Sequence, residues 1–308
     1  MFNYNAHTVA IGGQIEENHA KRPLPSKASV TLAPDGGFGE SCIDNYCEEG
    51  ISIVHADSRV YGTSFKDKFT GKTRLFKTFA SVTVYGLDLN GVVQADVVNA
   101  SITSINERIN GCPGESQISF DASIVGLVIN GRPYDVELDV KPFRDHGTFS
   151  SFTQSITRMN ADEVQAVANS YNWKLADMQT DDQFHVPKEC QYGLRATILK
   201  NIKSGLSDAV PELNRVGYTI EVPNLGLLHL GEVLVLVGKR SINTIRVELG
   251  RKLADLVVEP IDLEPMTVQR SEGEQRFALA EARGGGGLGG GYTVASVTGN
   301  GTDFGPPP

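Results

Sequence analysis

Long apolar runs are missing from this sequence. Nowhere do about 18 apolar residues stand together, the length a helix needs to cross a bilayer, so no membrane span is expected. Basic charge is thin. Lys and Arg number 28 against 37 Asp and Glu, giving a net charge of −9 and a pI near 5.2. No basic cluster interrupts that background, and nucleic-acid phosphates require one, so no nucleic-acid partner is expected. Cysteines are few: Cys42, Cys47, Cys112 and Cys190. That density does not staple a fold. Cys42 and Cys47 are near enough for a local disulfide if SCIDNYCEEG is a loop that folds back on itself. A zinc site would want closer thiols or histidine at metal spacing, and the nearest histidine is His55. Tryptophan occurs once, at Trp173. Aromatics make up 7% of the chain, enough to permit a sugar-stacking platform without pointing to one. The opening MFNYNAHTVAIGGQIEE has no basic start followed by an apolar block, so no secretory signal is read.

What is present is mostly strand. The segments 28–32, 51–55, 58–61, 80–89, 92–103, 117–129, 134–140, 218–222, 232–237 and 242–249 are rich in Val, Ile, Thr and Tyr and bounded by turn residues. Long helical patterns do not alternate with them. The fold class expected is mainly β: an antiparallel β-sandwich, jelly-roll-like, with one short inserted helix. That helix starts at an Asn160 N-cap with Glu163 closing a capping box, and continues through Val164, Val167, Ala168 and Tyr171. A further helical turn or two is read over 194–206. The organisation expected is a sandwich core over 1–158, a helical and loop insertion over 159–215, a second β segment over 216–283 that completes the sheets, and a Gly-rich linker with a terminal strand over 284–308.

One motif occurs twice. GLDLNG spans 86–91 and GLVING spans 126–131. Asn-Gly between apolar runs signals a type I′ hairpin, because both central residues take positive φ. A phosphate loop would need a helix behind the glycines, and here a strand follows each. The spacing places Leu89 opposite Val92 and Ile129 opposite Arg132. After the second turn, Tyr134, Val136, Leu138 and Val140 face one way, and Asp135, Glu137 and Asp139 the other. Around the first turn the alternation blurs, which predicts a more buried strand pair or a bulge.

These residues resemble a known family. ASVTVYGLDLNGVVQADVVNASITS, then Cys112, then ASIVGLVINGRPYDVELD are similar to the repeated core of the choice-of-anchor P type of bacterial β-rich domain. The likeness covers about 78–141. HLGEVLVLVGKRSINTIRVELG resembles a stretch in uncharacterised bacterial β-rich proteins with the same first hairpins. The resemblance implies a cell-surface or extracellular β-domain and carries no catalytic residue onto this chain.

Candidate chemistry is sparse. Asp135, Glu137 and Asp139 share a strand face on which calcium could sit, although calcium wants about six to eight converging oxygens and a solvated face explains the row. Asp181, Asp182 and His185 form a polar cluster in an expected loop, where they could act as a general base or as metal ligands. His146 and Ser150 lie in RDHGTFSS without a nucleophile elbow. No cofactor is expected. The tail GGGGLGGG is followed by YTVASVT, where Tyr292, Val294 and Val297 mark a strand that can dock on its own domain or on a neighbouring subunit. The function read from all this is a non-enzymatic structural protein that self-associates into a homo-oligomer, a filament or surface layer, through terminal-strand exchange. A carbohydrate- or surface-binding module and a loop-assembled hydrolase are the alternatives.

Overall fold

The computed structural model describes residues 2–17, 20–68, 71–109, 112–148, 150–152, 194–204, 213–216, 218–236, 239–255 and 291–303. The expected helix over 160–171, the cluster Asp181, Asp182 and His185, Trp173 and Cys190 lie outside them.

The fold is mainly β, and every strand pairing is antiparallel. The strands are β1 (Phe2–Glu17), β2 (Ala20–Thr31), β3 (Gly37–Glu48), β4 (Ile51–Lys66), β5 (Thr73–Leu89), β6 (Val93–Ile109), β7 (Cys112–Pro113), β8 (Gln117–Val125), β9 (Leu127–Ile129), β10 (Arg132–Leu138), β11 (Leu194–Thr197), β12 (Leu199–Ser204), β13 (Arg215–Val216), β14 (Thr219–Val222), β15 (Gly226–Leu236), β16 (Lys239–Leu249) and β17 (Gly291–Asp303). Sheet A runs β13-β14-β15-β16-β17-β1-β2, with β11 also on β15. Sheet B runs β12-β10-β9-β6-β5-β4-β3, with β7 and β8 also on β6. The sheets stack face to face: β1 lies over β4 and β5, β17 over β5 and β6, and β16 over β6 and β8. Along one side, β11 and β12 run in succession from sheet A into sheet B. The other side ends in β2 and β3, edges with no further partner strand among the described residues.

Three expectations are corrected. Residues 194–204 form strands and not a helix; the spacing of Leu194, Ile198 and Ile202 mimics a helical stripe, but pairing with β15 and β10 decides the conformation. The stretch 41–47 is not a folded-back loop but the middle of extended β3, and Cys42 and Cys47 are free and exposed. Five residue steps along the strand separate them by roughly 16 Å, beyond disulfide reach. At the first Asn-Gly turn, Leu89 pairs with Val93 rather than Val92. Val92 keeps the turn's hydrogen bond to the Leu89 carbonyl, while its own carbonyl accepts from Asn130 N at 2.8 Å. The second turn has the expected pair, Ile129 with Arg132. Both turns have positive φ at Asn and Gly.

The blurred alternation has a definite cause. In β4 the buried positions are Ile51 and Ile53, then Ala56, Ser58 and Val60; in β5 they are Val82 and Val84, then Leu87 and Leu89. β6 and the β8–β9 pair switch in the same way. The switch falls on one row across sheet B: Asn45, Val54, Gly86, Asp96 and Gly126, with Asn45, Gly86 and Gly126 left-handed. A bulge would insert a residue in one strand only. Here every strand carries it, so the ladder stays in register while inside and outside exchange. Sheet A has its own crease through Ala28, Ala10, Ala295, Thr244 and Gly231, with Ala28, Ala295 and Gly231 left-handed. Left-handed alanine is unfavourable by about 1–2 kcal/mol, and the local turn removes carbonyls from the ladder. Buried donors take them: Ser58 Oγ bonds the Ala28 carbonyl at 2.6 Å, Thr244 Oγ1 the Ala295 carbonyl at 3.2 Å, and Ile198 N the Gly231 carbonyl at 2.9 Å. The repeated Gly-Leu-x-x-Asn-Gly is thus crease glycine, buried leucine and hairpin turn, placed on both sides of Asp96 in β6.

Candidate functional site

Sheet B turns one face to solvent, and its rows can be followed from strand to strand. Phe38, Tyr61 and Phe79 stand opposite one another on β3, β4 and β5. Next come Glu40, Arg59 and Ser81; then Cys42, Asp57 and Thr83; then Asp44, His55, Tyr85, Val97 and Val125. The crease closes this face, and it leaves large apolar groups in water: Phe38 is 65% exposed, Val54 61%, Val125 52% and Tyr85 40%. Val54, Tyr85 and Val125 occupy adjoining rows and make a patch, while Phe38 stands three rows away. Val54 lies across Gly86, where an added Cβ would stand 2.5 Å from its Cγ2. His55 is held by Asp44 (Nδ1 to Oδ1, 2.6 Å) and tilts against Tyr85 with ring centroids 5.8 Å apart.

Stacking on a sugar requires open ring faces; in the Phe38 row Tyr61 and Phe79 face each other at 5.1 Å and Lys77 Nζ sits 5.6 Å from the Tyr61 centroid, while Phe38 is 65% exposed. A concavity of about 280 Å³ lies where β4 meets β5, lined by Phe65, Lys66, Asp67, Lys68, Arg74 and Leu75.

The two edges on the open side differ. β2 contains Pro23 and Pro25, which remove backbone donors and blunt an edge. β3 extends for 12 residues without proline, and among the described residues no strand pairs with its outer backbone groups, which can take another strand. Its side chains are acidic: Glu40, Asp44 and Glu48, with no base.

The acidic row of β10 lies against the lysines of β12. Glu137 accepts from Lys200 Nζ at 2.7 Å and Asp135 stands opposite Lys203 on β12. Among the described residues no group of three His, Cys, Asp or Glu side chains converges on a metal position. His146 contributes its carbonyl to Arg240, and Ser150 N donates to Glu115. Tyr292, Val294 and Val297 are buried in β17, which lies between β1 and β16 of the same chain. The tail strand is therefore intramolecular, because its apolar residues fill the middle of sheet A.

Sequence reasoning missed a buried charged cluster on sheet A. Arg246 grips Glu232 through two nitrogens (2.8 and 3.0 Å) and also bonds Glu248. Arg251 reaches Glu248 at 2.9 Å. Thr219 Oγ1 lies 3.0 Å from His229 Nδ1, and His229 Nε2 comes within 3.2 Å of Glu248 without hydrogen-bond alignment. Tyr218 covers the imidazole. Charged residues at 232, 246 and 248 inside apolar strands were the available signal. Burial pushes the His229 imidazole below its ordinary value, outweighing Glu248. Burial opposes the Glu248 charge, but His229 and Arg246 outweigh it and hold the carboxyl well below the carboxylate range. Both groups have depressed values when folded, so both stabilise at higher pH and lose that contribution on acidification. The melting temperature is expected to start falling below about pH 6.5 through His229 and to fall more steeply below about 4.5 through Glu248. Calorimetry between pH 8 and 4 checks this, with His229→Gln expected to flatten the upper part of the decline.

The family model that matches this sequence spans residues 2–236, about three quarters of the chain, and is described as a domain of unknown function. The chain belongs to the DUF8256 family. No curated protein and no solved structure matches it. The DUF8256 match ends within the β15–β16 hairpin, so β16 and β17, which join β15 to β1 in sheet A, lie beyond it. It contains all of sheet B, including the creased face and β3. No helix among the described residues is long and apolar enough to cross a membrane.

Proposed function

We propose that this protein is a non-enzymatic structural subunit that associates with copies of itself. The observation that carries this reading is β3, a long proline-free edge with no partner strand on its outer side among the described residues, beside an exposed apolar patch. Together they offer backbone pairing and apolar area to another chain. The resemblance of 78–141 to choice-of-anchor P domains points to the same kind of protein and to a cell-surface or extracellular setting. Exchange of β17 is not needed for association, since sheet A already contains that strand and β3 has no outer partner strand among the described residues.

Sedimentation velocity and electron microscopy of the full chain over a hundredfold concentration range test the proposal. Assemblies that grow with concentration are expected; a monomer throughout ends it. Removing 284–308 is not a clean test, because β17 lies between β1 and β16 in sheet A and its loss is expected to unfold the protein.

A further inference from the structure

The end of sheet B where β4 turns into β5 is basic. From Phe65 to Lys77 the sequence reads FKDKFTGKTRLFK, five bases and one acid in a chain of net charge −9. Along the chain these bases are spaced by neutral and apolar residues, so they do not form a run. The hairpin folds them onto one tip. Phe65 stands opposite Leu75 and Lys66 opposite Thr73, with Arg74 in the register shift between them. We propose that this tip is a peripheral docking site for an anionic lipid surface. The proposal goes beyond self-association and does not depend on it.

Three observations carry it. The first is charge. Lys66 and Lys68 are exposed and have no ion-pair partner among the described residues. Arg74 is exposed too, but Glu107 at 2.8 Å and Asp67 at 3.9 Å balance it. The second is apolar area beside that charge. Phe65 is 52% exposed, and it lines the concavity at the tip together with Leu75 and both lysines. A soluble phosphate gains nothing from an exposed ring, whereas a bilayer interface takes apolar groups at the acyl boundary and bases at the headgroups. The third is reach. β3 ends opposite Gly62, so residues 63–66 carry the tip roughly 13 Å past it. Glu40, the first acid of β3, lies opposite Arg59, roughly 23 Å along β4 from Lys66. The Debye length at physiological ionic strength is about 8 Å, so the β3 acids are screened from a surface that the tip touches. A long polyanion laid along the sheet would meet those acids; a flat surface touched end-on does not.

Vesicle flotation tests it, at protein concentrations low enough that copies do not associate. The probes are vesicles of phosphatidylcholine alone and of equal parts phosphatidylcholine and phosphatidylglycerol. Binding is expected on the second only, and it should weaken as salt rises. Lys66→Gln with Lys68→Gln should weaken it about 25-fold, since each base at such a surface accounts for roughly a fivefold factor. Phe65→Ser should weaken it severalfold. Arg132→Gln removes an exposed base at the other end of the strands and should leave binding unchanged. All four side chains are exposed, so circular dichroism is expected to show each variant folded. Equal binding to both vesicles, binding to neither, or equal losses for Arg132→Gln and the lysine pair overturns the docking site. If the lysine pair weakens binding while Phe65→Ser does not, the tip holds an anion without the bilayer, and the lipid assignment is overturned. Displacement by inorganic phosphate at constant ionic strength overturns it as well. Self-association is read separately, from the concentration series without lipid, so the two readings fail independently.

Discussion

Replacing Arg240 by methionine is expected to lower folding stability by about 4 kcal/mol. Arg240 is 1% exposed, and its guanidinium donates to four backbone carbonyls: Ile118 and Phe143 at 3.0 Å, His146 at 2.7 Å and Thr148 at 3.3 Å. The first belongs to β8. The others belong to the segment that follows β10, including the short helix α1 (Lys141–Asp145). One side chain on sheet A therefore ties that segment across the sandwich. Burial pulls the guanidinium down to about 10, with Glu115 opposing the shift, so it remains charged at neutral pH. Methionine fills similar space but donates nothing. Each buried acceptor left alone costs about 1–3 kcal/mol, and the segment is expected to relieve part of that by loosening its Phe143 and Phe152 packing. Lysine keeps an ammonium and about half of the bonds, so Arg240→Lys should lose roughly 2 kcal/mol. Urea midpoints for the three proteins give the comparison; equal midpoints for Met and the unaltered chain remove the tethering role.

The crease predicts a loss of similar size. Gly126 has φ +67, and a Cβ there would stand well inside contact distance of the Asp96 carboxylate, which lies across it. Gly126→Val adds a left-handed β-branched residue to that collision, and a loss of about 4 kcal/mol is expected. Gly91 provides the control. Its φ is +66, nearly the same, but nothing lies within 4 Å of an added Cβ. Gly91→Ala should therefore cost about 1 kcal/mol, the backbone contribution alone. If both substitutions cost the same, the collision with Asp96 adds nothing at Gly126.

Those two positions also show what could be read in advance. Asn130-Gly131 announced its turn through local chemistry alone, and the alternation of β10 announced its two faces. The crease could not be read, because two adjacent outward residues look like noise in one strand and become a pattern only when five strands are aligned. β3 was misread as a loop for a related reason: at an edge, polar and acidic residues replace the apolar signal by which strands are found. Arg240 gave little notice of its role, since its partners are backbone carbonyls roughly 90–120 residues away. Arg246 and Glu248 were legible as charges within an apolar strand, but their burial became visible only once β14, β15 and β16 were side by side.

The position of β17 has a consequence for folding. β1 pairs with β17 from Phe2 with Asp303 to Gln14 with Gly291, so β1 finds its neighbour far along the chain. Until then sheet A is divided between β1–β2 and β14–β16. Closing a loop of that length is a slow step, and until it closes the two halves of sheet A expose a second pair of sticky borders.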